Sequence, residues 1–247
     1  MVKGIYHSAA GMLARQRHLE VISNNLANAT TVGFKEEQVA FRNALNKSAF
    51  SSNPVASGER FVEAERGGRN VNHQGTLQET GNPLDLAIVG DGYFAVETSN
   101  GLAYTRDGRF QLNAEGELVN LSGYRVLTAG GTVQIPEGDL RISPDGELVL
   151  SDRDPNREQV IDRLLLVTFN DPSELRPTRD GLLVTRQEPL ELSEFELKVG
   201  YLEDSDVNVV TQMVEMIQIN RMYEASAQAI HAQDSTLGKA VNEVGKA

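Results

Sequence analysis

Apolar residues near the C-terminus recur at alternating steps of three and four: Met213, Met216, Asn220, Tyr223, Ala227, Ile230, Asp234, Leu237, Val241 and Val244, with two polar interruptions. Near the N-terminus Ile5, Met12, Leu19 and Leu26 recur every seven residues, and Ala9 and Ile22 fill the intermediate row. A period of about 3.5 residues lays one narrow stripe along a helix, and another helix satisfies such a stripe better than a globular core does. Neither helix buries its seam alone. What each packs against is therefore the functional question.

The first helix is expected from Val2 to Leu26 or Ala27, where Asn24, Asn25 and Asn28, then Thr30, Thr31 and Gly33, break the pattern. Residues 36–50 suit a short helical turn, with Val39, Phe41, Leu45 and Phe50 apolar. From Ser51 to Gly81 the composition shifts to Ser, Asn, Gly and charge, which reads as an extended linker. From about Asp206 the pattern turns helical again, with Asp204, Ser205 and Asp206 as candidate caps. A helix of about 40 residues spans roughly 60 Å, more than a domain of this size needs internally.

The middle alternates differently. Asp85–Val89 and Tyr93–Val96 are apolar runs separated by Gly90-Asp91-Gly92, and Ile161–Phe169 is the strongest strand candidate. Asp107-Gly108, Glu115-Gly116, Asp145-Gly146 and Asp180-Gly181 sit between short alternating segments such as Phe110–Leu112, Leu118–Val119, Leu148–Leu150 and Leu182–Val184. An acid followed by glycine suits tight hairpin turns, so the segment predicts many short antiparallel strands. The fold class is α+β: discontinuous paired N- and C-terminal helices of coiled-coil type flank an all-β antiparallel domain. The expected division is residues 1–35 plus 201–247 for the helices, 36–81 for the linker and 82–200 for the β-domain.

Composition narrows the chemistry. The net charge of −12, the absence of Trp and an aromatic content of 6% argue against a nucleic-acid surface. The charge is uneven: Lys3, Arg15, Arg17 and Lys35 face only Glu20 in the first 35 residues, whereas residues 203–247 hold seven acids and three bases. Opposite signs on two seam-bearing helices favour their pairing, within one chain or between chains. With no cysteine there is no disulfide or thiolate site. His7, His18, His73 and His231 have no metal-ligand spacing, and Asp152-Arg153-Asp154-Pro155-Asn156 imitates a calcium loop but has Arg157 where glycine is required. Phosphate-loop and nucleophile-elbow motifs are absent, so no catalytic, cofactor-binding or metal residue is assigned. No run reaches membrane-span length, and Arg15, Gln16, Arg17 and His18 break any signal-like stretch early. Asn220 and Asp234 within the seam would penalise wrong registers of helix association.

Three ordered blocks resemble the bacterial flagellar basal-body rod and hook family of axial proteins. The first runs Ile22-Ser23-Asn24-Asn25-Leu26-Ala27-Asn28-Ala29-Thr30-Thr31-Val32-Gly33-Phe34-Lys35. The second comprises Gly75-Thr76-Leu77, Thr80–Ile88, Gly90–Phe94 and Tyr104–Phe110, continuing to Gly123-Tyr124. The third holds Val214–Ile217, Arg221, Tyr223-Glu224-Ala225 and Ala229-Ile230.

The resemblance implies a structural subunit, without cofactor, whose terminal helices pair in the innermost layer of a tubular assembly while the β-domain lies outside. It implies that Ile5, Met12, Leu19, Ile22, Asn25, Leu26, Met213, Ile217, Asn220, Tyr223, Ala227, Ile230, Leu237 and Val241 form the assembly interface. Leu19, Ile22 and Leu26 would then face Ile217, Tyr223 and Ile230 of the same or an adjacent subunit, with Asn28, Gly33 and Phe34 as the joint to the β-domain. Implied partners are other copies of the chain, other rod subunits, hook and basal-body components and the flagellar export apparatus, with neither nucleic acid nor membrane insertion. The implied location is a periplasmic rod reached by export without a cleaved signal, which requires an unfolded chain and terminal helices poorly ordered before assembly. Length favours a rod over a hook subunit, and the proximal over the distal rod. Two rivals stand beside this reading: a closed helical oligomer serving as a binding module, and a β-domain enzyme acting on cell-wall glycan.

Overall fold

Two long helices open and close the chain. The computed structural model describes residues 2–41, 64–69, 74–136, 138–151, 158–178 and 180–244. The side chains of Ile5, Leu237, Val241 and Val244, the expected turn beyond Phe41 and the Asp152–Asn156 run lie outside the described residues. Helix α1 spans Val2–Ala27 and helix α2 spans Val209–Val244. At the end of α1 the Asn28 carbonyl accepts the Thr31 amide at 3.0 Å and the Asn28 side chain accepts the Thr31 hydroxyl, closing a turn in place of the next helical bond. Helix α2 starts later than the acidic cluster suggested. Its cap is Asn208, whose Oδ1 accepts the Thr211 amide at 3.1 Å. Ser205 and Asp206 are occupied elsewhere, Ser205 by the Val207 amide and Asp206 by the Glu36 amide.

The chain forms two compact units, one of residues 1–27, 37–67 and 208–247, the other of residues 28–36 and 68–207. In the first, α1 and α2 run in opposite directions, since Asn25, His18 and Arg15 meet Gln212, Glu215 and Ser226 in turn. The stretch expected to be a linker contributes strands Glu37–Phe41 and Ala64–Arg69, which pair with each other, the first overturning the start of the helical turn expected over residues 36–50. Its polar, glycine-rich composition hid them, because such a pair needs no continuous apolar run.

The second unit is antiparallel β. Its largest sheet follows the order Arg176–Pro177, Leu183–Val184, Gly101–Thr105, Tyr93–Thr98, Arg125–Val126, Leu118–Asn120, Phe110–Leu112. Tyr93–Thr98 is central and buried on both faces. Phe94 and Val96 join a core with Leu86, Ile88, Phe110, Leu118 and Leu148, while Tyr93 and Ala95 join Tyr104, Val167, Phe169 and Leu183 on the other side. This is why the strand reads as an unbroken apolar run rather than an alternation.

Ile161–Phe169, expected as one strand, is two. Glu158–Arg163 pairs with Glu147–Ser151 in a three-stranded sheet, and Leu166–Thr168 pairs with Tyr93–Thr98. The chain changes sheets at Leu164 and Leu165, whose amides bond to the Gly146 and Leu127 carbonyls. The apolar run Leu164–Val167 passes straight through the switch, so hydrophobicity alone does not mark the break. Among the acid–glycine turns, Gly116, Gly146 and Gly181 have positive φ, as hairpins require. Gly108 does not. It is glycine because the Leu86 carbonyl oxygen lies 1.7 Å from where a Cβ would stand.

Candidate assembly interface

Helix α2 uses one side within the chain. Gln212 and Ile219 are buried, and Met216, Tyr223, Ser226, Ile230 and Gln233 are half-buried, again at steps of four and three. On α1, Val21, Ile22 and Asn25 are buried and Met12, Leu19 and Leu26 half-buried. Of the sequence-derived seam, Tyr223, Ala227 and Ile230 therefore lie on or beside the packed side of α2. Met213, Ile217 and Asn220 are exposed. The packed stripe takes in Gln212, Ile219, Ser226 and Gln233, which the sequence reading missed. Three of these are polar, and an apolar count along the helix steps over them.

Polar contacts fix the helix pair. Asn25, 1% exposed, is pinned on both sides of its amide. Its Nδ2 donates to the Glu37 carbonyl at 2.9 Å and to Gln212 Oε1 at 3.4 Å, and its Oδ1 accepts the Glu37 amide at 2.9 Å. A buried amide satisfied by backbone holds one geometry, and losing it would strand Glu37's groups at about 1–3 kcal/mol. Between the helices His18 Nε2 lies 3.1 Å from Glu215 Oε1. Arg15 instead donates to the Ser226 hydroxyl at 2.9 Å.

The other side of α2 is apolar over its first turns and has no cover among the described residues. Val210 is 72% exposed and Ile217 54%, with Met213 and Val214 about half exposed beside them. At about 100° per residue these four fall on one flank, roughly opposite Gln212, Met216 and Ile219. Large apolar side chains massed on a helix face mark an interaction surface.

Residues 28–36, read as a joint from Asn28, Gly33 and Phe34, belong to the β-unit. The Gly33 amide donates to the Glu203 carbonyl at 2.7 Å. Gly33 has φ +68°, and a Cβ there would come within 2.6 Å of the Arg106 backbone, so the position demands glycine twice over. Phe34 is buried and Asn28 half-buried. Beneath them lies a cluster that no sequence argument assembled, although two of its members stand in the family-like blocks. Lys35, Arg106 and Glu203 are 2%, 4% and 1% exposed. Lys35 Nζ donates to Glu203 Oε1, which also accepts the Gly75 amide at 2.9 Å. Arg106 Nη1 donates to Glu203 Oε2 at 2.9 Å and Nη2 to the Gly90 carbonyl at 2.6 Å. Burial pulls the Lys35 amine below its ordinary range, against the pull of Glu203. Removing one partner from such a buried cluster costs about 3–5 kcal/mol, because it leaves charge unpaired.

Family comparisons follow this geometry segment by segment. "Flagella basal body rod protein" matches residues 5–35, which hold most of α1 and the segment through Lys35. "Flagellar hook protein FlgE/F/G D1 domain" matches residues 87–150 in the sheet region, and "Flagellar basal body rod FlgEFG protein C-terminal" matches residues 198–243, from just before Glu203 almost to the end of α2. Across its length the chain is 33% identical to the flagellar basal-body rod protein FlgF of Mesorhizobium japonicum over 253 residues, 99% of each chain. The chain belongs to the flagellar basal-body rod family. It is similar also to FlgG of Bacillus subtilis, 31% identical over 262 residues covering 98% of this chain and 99% of the relative. FlgF of Caulobacter vibrioides is 33% identical over 254 residues, 100% of this chain and 99% of the relative. Rod proteins are structural subunits of the flagellar basal body, and this chain is one of them. The Lys35, Arg106 and Glu203 cluster draws one residue from each of the three matched segments.

Two measurements check these placements. Ile219→Ala removes a buried side chain and lowers the unfolding free energy by about 2–5 kcal/mol, whereas Ile217→Ala stays within about 0.5 kcal/mol. Urea titration of the purified variants reads the difference, and equal losses would contradict the assignment of the two faces. Asp206 is half-buried, and burial raises its carboxyl above the ordinary range. A raised acid contributes stability that is full below its unfolded pKa and is lost as pH rises through the folded one. Asp206→Asn keeps an acceptor for the Glu36 amide but not this titration. The variant's Tm relative to the parent therefore climbs as the pH rises above the ordinary aspartate range. A constant offset over that rise would contradict it.

Proposed function

We propose that the chain is a proximal-rod subunit that self-assembles through its terminal helices. α1 and α2 pair as a coiled-coil-type seam within each subunit. The uncovered flank of α2, Val210, Met213, Val214 and Ile217, meets helices of neighbouring copies and other rod subunits. The uncovered flank is the observation that carries this reading: four large apolar groups on one helix face gain about 25 cal/mol per Å² on burial, and a repeated subunit contact supplies that burial at every step. Leu19, Ile22, Leu26, Tyr223, Ala227 and Ile230 hold the pair together, with Met12 beside them. Ile5, Leu237 and Val241 extend the two stripes, and Asn220 sits at the edge of the exposed flank.

Stacked in this way the subunits form a tubular shaft in the periplasm that transmits torque to the hook, with hook and basal-body components as its neighbours. The chain reaches that position through the flagellar export apparatus. No helix among the described residues is long and apolar enough to cross a membrane. Likeness to rod proteins over the whole chain supports a rod subunit. The role is non-catalytic, and it calls for neither cofactor nor metal.

The double substitution Val214→Asp, Ile217→Asp tests this. It leaves the purified chain soluble with its thermal transition within a few degrees of the parent, and it abolishes incorporation into basal bodies and motility. Normal motility would overturn the assignment of the flank. A purified parent chain of one concentration-independent oligomeric size in light scattering would favour the closed-oligomer reading instead.

A further inference from the structure

The second unit contains a segment built as a strap. Residues 28–36 follow α1, lie in the β-unit, and lead back to the first unit at Glu37. Backbone contacts hold the strap along one edge: the Gly33 amide to the Glu203 carbonyl, the Asp206 amide to the Phe34 carbonyl at 3.4 Å, and the Glu36 amide to Asp206 Oδ1 at 2.6 Å. Its deepest hold is ionic. Lys35 passes its ammonium to a carboxylate 168 positions away in sequence, and that carboxylate is already engaged by Arg106 and the Gly75 amide.

Two features distinguish this cluster from a permanent core. It gathers two cations around one fully buried carboxylate, and the nearest further acid, Asp206, is only half-buried. Arg106 Nε is buried with no hydrogen-bond partner among the described residues. A network left partly unsatisfied is worth less than its contacts suggest, so it is poised to open. The core beside it is different. Leu86, Ile88, Phe94, Val96 and Leu148 are fully buried and apolar, and nothing in the strap is needed to cover Leu148 or Val96 within that cluster.

We propose that Glu203 is the keystone of a latch that holds the 28–36 strap closed on the β-unit, and that the strap opens as one piece, with the β-core intact, when the ionic hold is removed. The device goes beyond subunit assembly and belongs to the single chain. The strap follows the last residue of α1, Ala27, so the latch sets whether the chain beyond that helix is held on the β-unit or released from it. Loop-like segments with few buried apolar contacts are the ones that open at low free energy, and here a single carboxylate sets that energy.

Hydrogen exchange of the purified full-length chain, read by mass spectrometry on peptides from 28–36 and from 86–98, tests the latch in solution, independent of rod assembly. Lys35→Met keeps the packing volume and removes only the charge. A strap held by packing alone would not respond to it. The expected result is exchange faster by about tenfold or more over 28–36, with 86–98 within about twofold of the parent. Glu203→Gln is expected to speed the strap further, since it also releases Arg106. Unchanged strap exchange in either variant would overturn the proposal, as would strap and core accelerating by the same factor in Lys35→Met. Loss of basal-body incorporation by the Val214, Ile217 double variant with an intact latch would leave the two readings separately decided.

Discussion

The β-unit depends on joining parts of the chain that lie far apart, and Glu203 is where that happens. Its carbonyl takes the Gly33 amide and its carboxylate takes Lys35, Arg106 and the Gly75 amide. Closing a loop of that length costs chain entropy, though the cost grows only slowly with length. What makes the closure specific is the buried charge. A misplaced strap would leave Arg106 and Glu203 without Lys35 and would bring a non-glycine backbone against the Arg106 peptide at Gly33's position. The strand that carries Glu203, Tyr201–Glu203, is itself paired with Leu77–Glu79, so the keystone is set only once the sheet edge is in place.

The helical unit solves a different problem with the same economy. α2 has two apolar sides and α1 can cover only one. The inner side is not the more hydrophobic of the two: it includes Gln212, Ser226 and Gln233, and it is fixed by hydrogen bonds from Asn25 and Arg15. The outer side, with Val210, Met213, Val214 and Ile217, would be the stronger stripe in a sequence profile. A chain that kept its best apolar face for itself would be a stable monomer. One that holds its helices together with polar pins and leaves the apolar flank open is suited to joining others, as the family to which it belongs requires.

How much of this was legible follows from the kind of interaction. The two helices and the antiparallel middle announced themselves through spacing and acid–glycine turns, because backbone geometry is local. The seam was half legible. Met216, Tyr223 and Ile230 belong to both the apolar and the buried stripe, but the rest of the buried stripe is polar, and hydrophobic periodicity selected Met213, Ile217 and Asn220 on the wrong flank for packing within the chain. Gly33 stood out as a helix breaker, although what demands glycine there is the Arg106 backbone. Lys35 and Arg106 stood inside the family-like blocks, but nothing joined them to Glu203: three of 58 charged residues, far apart in sequence, become a unit only when strands bring them together. Ile161–Phe169 failed for a related reason, since the apolar run Leu164–Val167 crosses the point where the strand changes partners.

The central claim is that the outer flank of α2 is the surface through which subunits meet. Because the chain has no cysteine, a single one introduced at Val210 or Ile217 is the only thiol available for cross-linking. Basal bodies assembled from such variants and treated with a short reagent that is thiol-reactive at one end and photoreactive at the other should, on irradiation, yield covalent links between the introduced residue and neighbouring subunits. The same residue placed at Glu115, an exposed turn of the β-unit, serves as the comparison. Efficient linking from 210 and 217 is the predicted result. Reagent-labelled thiols at both positions that yield no such links in assembled rods would contradict it.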